Sequence, residues 1–514
     1  MLFSSMIFLW AFLPVVLIVN YLLNLIIKRY ELRIHIKNVF LLLASLFFYA
    51  WGGIYYLAIM VSSIIINFLG GYIISKMDAI IDRKNADGTM SFTQYRAKKK
   101  SKKKRKYVLI LVVILNLLIL GYFKYFNMLV IIIEQMIEGN NFFEFWHNIL
   151  NMRGTGSLGL KEVVLPIGIS FFTFQAMSYV IDVYRGNAKA QNNIFDFGLY
   201  VSLFPQLIAG PIVRYADIAL QINDRSETIE KFVRGIKRFC YGVGKKVLIA
   251  NTFALVVDKI WELDLNNIGS SIAILVTISY TFQIYYDFSG YSDMAIGLGN
   301  MLGFEFKENF NYPYLATSIT DFWRRWHISL STWFKEYVYI PLGGNRHGLF
   351  RTCLNLLIVF LLTGIWHGAN FTFIIWGLVY GIIQIIEKVF LLKILNKNKL
   401  KFLNWIYVMI ITLLLFVLFR SNNIEEAMII FGQYTSFSSK YNVLSYISMK
   451  FIVTFVIAVL SMGVLQKIFG KIYSKINNNV IVNFIDATLQ LTILFLSILS
   501  IVDGTYNPFI YFQF

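Results

Sequence analysis

The sequence is poor in cysteine, with only Cys240 and Cys353, both in or beside apolar segments. Two such thiols build no disulfide framework, and no metal-ligand spacing surrounds them, which excludes a disulfide scaffold and a structural zinc site. Proline is scarce too. Seven prolines and 33 glycines in 514 residues exclude Pro-rich and Gly-rich low-complexity chains. Charge is thin: 15% of residues are charged, where a soluble domain averages about 25%. Hydrophobic residues reach 58%, above the roughly 45–50% of globular proteins. This is the composition of a polytopic membrane bundle, which at this length forms a single domain over residues 1–514.

Acidic residues are the rarer sign, 28 against 47 lysines and arginines, for a formal net charge of +19. No basic, aromatic-interleaved soluble module accompanies that charge, so nucleic acid is not an expected partner. The basic residues lie between apolar runs, where they hold loops on the cytoplasmic side and face anionic membrane lipid.

The run from Leu2 to Ile27 is too long for a signal-peptide core and is followed by no small-residue cleavage pattern, so it reads as a first span. Val39 to Ser75 is too long for one span, and the WGG at Trp51–Gly53 divides it into a helical hairpin. A polar loop, Lys76 to Lys106, ends in KKKSKKKRK, eight basic residues in nine. That block places the loop in the cytoplasm and the N-terminus outside. Glu134, Glu138 and Glu144 follow the next run, at about Tyr107–Ile133, and fit the outer side. Later spans are expected near Val163–Val183, Phe197–Val213, Val247–Trp261, Ser270–Phe288, Tyr291–Phe304, Cys353–Leu362, Ile374–Ile386, Phe402–Phe419, Phe451–Phe469 and Val482–Val502. Several of these fourteen segments are short or broken, which leaves about eleven transmembrane helices in an all-α fold. Glu230–Lys246, apolar at helical spacing with Lys231, Arg234, Lys237 and Arg238 interleaved, reads as an interfacial or re-entrant helix. The chain divides into N-terminal spans (1–163), a catalytic core (164–386) and C-terminal spans (387–514).

Two segments do not suit lipid. Between Glu305 and Arg351, Asp321, Arg324, Arg325, His327, Lys335, Glu336 and Arg346 stand among tryptophans and tyrosines. So many polar groups at membrane depth need protein or a water-filled cavity around them. An interfacial helix with aromatic and arginine anchors accounts for the Trp and Arg content equally well, though less well for His327. The second segment, TGIWHG at Thr363–Gly368, sets His367 near the middle of an apolar run. An ionisable residue there is costly unless it is paired or faces water, and it marks a functional position by default. A neutral histidine bridging two helices is the plainer alternative. His35, His147 and His347 read as solvated surface.

Neutral imidazole can take a proton from a hydroxyl that attacks a thioester carbonyl, then return one to the leaving thiol. The chain has no G-x-S-x-G elbow, H-E-x-x-H or Walker A signature, so hydrolase, zinc-protease and ATPase readings have no support. The residues by themselves define a membrane enzyme or conduit whose polar core contains His327 and His367.

Six segments resemble the membrane-bound O-acyltransferase family, in particular its bacterial alginate and peptidoglycan O-acetyltransferase branch. They are Val164–Gly186, Phe204–Tyr215, Tyr285–Phe304, Asp321–Arg346, Leu362–Gly377 and the C-terminal PFIYFQF at Pro508–Phe514. The resemblance implies that His367 is the family's catalytic histidine and His327 its second active-site histidine, in a bundle curved around a tunnel joining both membrane faces. Asp321, Arg324, Arg325, Trp366, Gln206, Asp287 and Ser289 are then expected to line that tunnel or orient the histidines. It further implies an acyl group, usually acetyl, taken from a cytoplasmic thioester donor such as acetyl-CoA. The acyl group passes to an extracytoplasmic partner acetyltransferase or to a cell-surface polymer, with no bound metal or cofactor, in a bacterial cell membrane. Two readings stand beside this one: a D-alanyl transfer protein of teichoic acid modification, and a polysaccharide or lipid transporter. No internal repeat is visible, which weighs against an inverted-repeat transporter.

Overall fold

The computed structural model of the protein describes residues 1–81, 92–137, 144, 148–149, 163–208, 210–465, 468, 480–504 and 506–510. Glu138, His147, the middle of the basic loop (82–91), the end of the Phe451–Phe469 segment and the last four residues of PFIYFQF lie outside them. The regular structure of the described residues is helical. The helices used below are α1 (Phe8–Ile26), α2 (Tyr30–Ala50), α3 (Ile54–Ile81), α4 (Phe92–Ile137), α5 (Ile169–Arg185), α6 (Ile194–Ser202), α7 (Ile229–Trp261), α8 (Gly269–Met301), α9 (Ile319–Arg325), α10 (Ile328–Phe334), α11 (Gly348–His367), α12 (Phe371–Ile386), α13 (Lys401–Arg420), α14 (Met449–Val464) and α15 (Val480–Asp503). Among the described residues, eight helices are long and apolar enough to cross a membrane: α1, α2, α7, α11, α13, α15 and the apolar parts of α3 and α4. α14 is a shorter apolar helix. Together these helices make the chain a multi-pass membrane protein.

Contacts divide the chain into two compact units. The first holds Met1–Lys124, Val164–Ile236 and Ala295–Lys307. Its apolar centre is a phenylalanine cluster, Phe3, Phe8, Phe12, Phe48 and Phe204, with neighbouring centroids 5.0–6.5 Å apart. Its helices also exchange polar groups, which membrane helices use where the alternative is an unsatisfied group in hydrocarbon. Asn67 of α3 and Asn116 of α4 donate to each other's side-chain oxygens at 2.9 and 3.0 Å. Lys37 of α2, 1% exposed, meets Glu227 at 2.5 Å, and Asn20 and Asn24 of α1 donate to the same carboxylate. The second half of the basic loop is not a loop. Residues 92–106 are the first turns of α4, where Ser101 donates to the Met77 carbonyl and Arg105 to the Tyr184 carbonyl.

The second unit holds Tyr125–Val163, Lys237–Met294 and Glu308–Phe514. Two expectations change here. The stretch expected as a separate interfacial or re-entrant helix, Glu230–Lys246, is the first half of the continuous helix α7, which meets the length and hydropathy of a span. Its cations become tolerable because carboxylates meet them. In this unit Lys237 pairs with Asp486 at 2.8 Å, Arg238 with Asp293 and Glu308 at 2.7 and 2.5 Å, and Lys245 with Asp293 at 2.6 Å. The two spans expected over Ser270–Phe304 are one helix, α8, whose residues are mostly buried. Gly290, which falls between the two expected spans, lets α8 press on α7: a Cβ there would stand 2.8 Å from the Gly242 carbonyl oxygen. Small residues allow this kind of close backbone approach between membrane helices.

α11 and α12 form a hairpin built the same way. A Cβ on Gly364 would lie 2.3 Å from the Phe373 carbonyl oxygen, and one on Gly377 would lie 2.4 Å from that of Phe360. The hairpin turns in very few residues. α11 ends at His367, and Asn370 caps α12 by accepting from the Thr372 amide at 3.0 Å. His367 is therefore fixed at a helix end by the packing of two backbones.

Candidate active site

His327 stands between α9 and α10 with φ 44° and ψ 54°. That left-handed conformation costs a non-glycine residue roughly 1–2 kcal/mol, so the surroundings must hold it. A staple from the preceding segment does so. The Ile328 amide donates to the Asn309 carbonyl at 2.9 Å, and the Asn311 amide to the Arg325 carbonyl at 2.9 Å. At the start of α9, Ser318 accepts from the Asp321 amide at 3.0 Å. Glu387, fully buried, accepts from the Ile319 amide at 2.6 Å, the Thr320 amide at 2.8 Å and the Thr320 hydroxyl at 2.6 Å. A carboxylate at a helix N-terminus meets both orphan donors and the positive end of the helix dipole.

The His327 ring is 1% exposed and packs edge-on against Phe288 (centroids 4.6 Å, 84°) and Trp366 (5.9 Å, 71°). Its Nδ1 lies 3.3 Å from the Asn309 side-chain oxygen, and its buried Nε2 meets no hydrogen-bond partner among the described residues. His327 lies outside the apolar spans, and burial pushes its imidazole down from its ordinary value to about 3. It is neutral at physiological pH.

His367, 7% exposed, is enclosed by Trp366 (5.1 Å), Trp376 (5.2 Å, 84°) and Phe419 (5.0 Å, 81°). Trp366 thus touches both histidines, one from each of the two segments singled out in the sequence. The Trp376 ring lies 5.7 Å from that of Trp323, and the indole N–H groups of both are buried without an acceptor among the described residues. Tyr125 reaches from α4 to donate to the Ile365 carbonyl, two residues before His367.

The other expected residues divide. Asp287 of α8, 2% exposed, pairs with Lys246 of α7 at 2.8 Å and accepts from the Ile510 amide at 2.9 Å. Lys246 also donates to the Pro508 carbonyl, and Phe509 packs on Tyr291 at 4.7 Å. The C-terminal segment is thereby held along α8. The Ser289 hydroxyl is buried without a partner among the described residues. Asp321 and Arg325 pair with each other at 3.0 Å and are about one-third exposed, while Arg324 is exposed. Gln206 belongs to the first unit, where its amide donates to the Tyr200 carbonyl. Sequence reading missed Asn309, Glu387 and Tyr125. Each acts on the histidines' surroundings over a long separation, and no local pattern signals such a contact.

Fold and site together define a polytopic membrane protein with two buried histidines meeting at one tryptophan. A profile of the membrane-bound O-acyltransferase family matches residues 90–425. The chain is 38% identical to a "Probable alginate O-acetylase AlgI" of Pseudomonas putida over the whole of both chains. It is 34% identical to a peptidoglycan O-acetyltransferase of Helicobacter pylori, over 83% of this chain and 78% of that one. A teichoic acid D-alanyltransferase of Bacillus subtilis is 28% identical, over 42% of this chain and 58% of its own. The chain belongs to the membrane-bound O-acyltransferase family, and it is an acyltransferase.

Proposed function

We propose that this chain takes an acetyl group from a cytoplasmic thioester, acetyl-CoA or an acylated carrier, and delivers it across the bacterial cell membrane for O-acetylation of a cell-surface polysaccharide or peptidoglycan. The full-length similarity to a chain named for alginate acetylation supports the acetyl group and a polymer acceptor. The observation that carries the chemistry is the meeting of His327 and His367 at Trp366 in a buried aromatic setting. An acceptor hydroxyl attacks the thioester carbonyl carbon. A neutral imidazole takes the hydroxyl proton as the C–O bond forms, and the C–S bond then breaks to a thiolate that regains the proton. In a dry site the buried indole N–H groups of Trp323 and Trp376 are suitable donors for the carbonyl oxygen as it gains charge. An extracytoplasmic transferase is the expected partner that receives the acyl group.

The test is the O-acetyl content of surface polymers in a deletion strain carrying wild type or His367→Ala at equal membrane levels. Restoration by wild type alone supports the proposal. Equal restoration by both removes His367 from the chemistry. If neither changes any acetyl ester, D-alanyl transfer becomes the better reading, for which the Bacillus subtilis similarity gives the motive.

A further inference from the structure

The orientation of the Asn309 side chain has a direct chemical meaning for His327. Asn309 is fully buried, and its side-chain oxygen accepts from the Ser329 backbone amide at 3.1 Å and from the Ser329 hydroxyl at 2.8 Å. A backbone N–H can only donate, so the atom facing it must be the amide oxygen and not the nitrogen. The nitrogen points the other way and donates to the Ser292 hydroxyl of α8 at 3.0 Å. The oxygen fixed in this way is the atom 3.3 Å from His327 Nδ1. An oxygen there can only accept, so Nδ1 must carry the proton. The Ser329 hydroxyl, 3.5 Å from Nδ1, does not reverse this, because its own proton is engaged with Asn309.

We infer that Asn309 is a positioning residue of the site: through the Ser329 amide it fixes His327 as the Nδ1–H tautomer and leaves the buried Nε2 lone pair as a proton acceptor beside that of His367. Nε2 is buried and meets no hydrogen-bond partner among the described residues, which agrees with that assignment. The wrong tautomer would present an N–H to the hydroxyl and could take no proton from it. The inference rests on the proposed acyl transfer for its catalytic meaning, but the tautomer itself does not.

The experiment is solid-state nitrogen NMR of the full chain, labelled at its five histidines and reconstituted in lipid bilayers, with His327→Gln identifying the His327 signals. Wild type is expected to show His327 protonated at Nδ1, and Asn309→Ala to show a mixture or the Nε2–H form. Protonation at Nε2 in wild type overturns the inference and needs no variant at Asn309 to fold. An unchanged tautomer in a folded Asn309→Ala protein overturns it as well. In parallel, Asn309→Ala is expected to lower kcat by roughly 10–100-fold with KM unchanged, as loss of an orienting partner does. Asn309→Asp, which still accepts from Nδ1, is expected to recover most of that loss. A drop in Asn309→Ala that Asn309→Asp leaves unrepaired overturns the positioning role and assigns the effect to the Nδ2 donation to Ser292 instead. Full polymer acetylation by His327→Gln removes the catalytic reading and leaves the tautomer result standing.

Discussion

The rings of His327 and Trp366 meet edge-on, centroids 5.9 Å apart at 71°, although no helix carries both. Trp366 closes α11 beside His367, while His327 occupies the strained junction before α10. The contact brings a residue of the polar, arginine-rich segment to the end of an apolar helix. Neither segment contains that contact alone.

His367→Ala is expected to lower acyl transfer by about 10²–10⁴-fold, the range supplied by a positioned acid–base group. Expression and thermal midpoint in detergent should change little, because the ring fills an aromatic box that surrounding side chains also build. Turnover of a thioester donor by purified protein measures the effect. Activity within threefold of wild type would assign His367 to packing.

Gly364→Ala and Gly377→Ala should each impair the enzyme without touching a histidine. Either Cβ would stand within 2.4 Å of a backbone carbonyl oxygen of the partner helix, so the α11–α12 hairpin must open. Overpacking of this kind costs about 1–3 kcal/mol. His367, at the end of α11, moves with it. The expected result is a lowered thermal midpoint together with a loss of turnover larger than the fraction unfolded explains.

The pair Lys246–Asp287, with both side chains 2% exposed, supports a double-mutant test. Lys246→Met alone leaves a buried carboxylate and is expected to destabilise by about 3–5 kcal/mol. Lys246→Met with Asp287→Leu should recover much of that, since an apolar pair of similar size needs no partner. Because the same two residues hold Pro508 and Ile510, the single variant should also expose the C-terminal segment to protease. Equal protection in both proteins would show that the segment is held by other contacts.

His327 gives a pH expectation whose sign is fixed by its burial. Its folded value, about 3, lies below the ordinary 6.5, so the unfolded chain binds the proton more readily. The stability that rests on a neutral ring is present above 6.5 and is lost as pH falls from there toward 3. The thermal midpoint of wild type should therefore drop more steeply between about pH 6.5 and 5 than that of His327→Gln. Parallel curves would show that the ring protonates without penalty.

Glu387→Ala removes the acceptor of two backbone amides at the start of α9 and should loosen the approach to His327. Glu387→Gln, which keeps one accepting oxygen, is expected to lose less in both thermal midpoint and turnover. Equal losses in the two variants would mean that the negative charge at the helix N-terminus, rather than the hydrogen bonds, does the holding.

How much of this was legible beforehand follows from the range of each interaction. Membrane class followed from long apolar runs, because the length needed to span hydrocarbon is a local property of the chain. His367 stood out because an imidazole inside an apolar run is locally anomalous. The first half of α7, Glu230–Lys246, reads as an interfacial or re-entrant helix because its arginines and lysines are visible in the local sequence and their acidic partners are not. Asp486, Asp293 and Glu308 lie far along the chain from the cations they meet. Asn309 and Glu387 escaped for the same reason, as hydrogen-bond acceptors whose donors sit on other elements.

The sequence alone determined that this chain is an all-helical membrane protein with two anomalous histidines, since hydropathy and residue type are read one segment at a time. Only the tertiary structure decided that the histidines share Trp366, that Asn309 holds one of them in a single tautomer, and that the C-terminal segment lies on a buried ion pair. Such relations are distances between side chains on different helices, and they are set by how glycine-lined backbones and buried polar groups pack, which no single segment encodes.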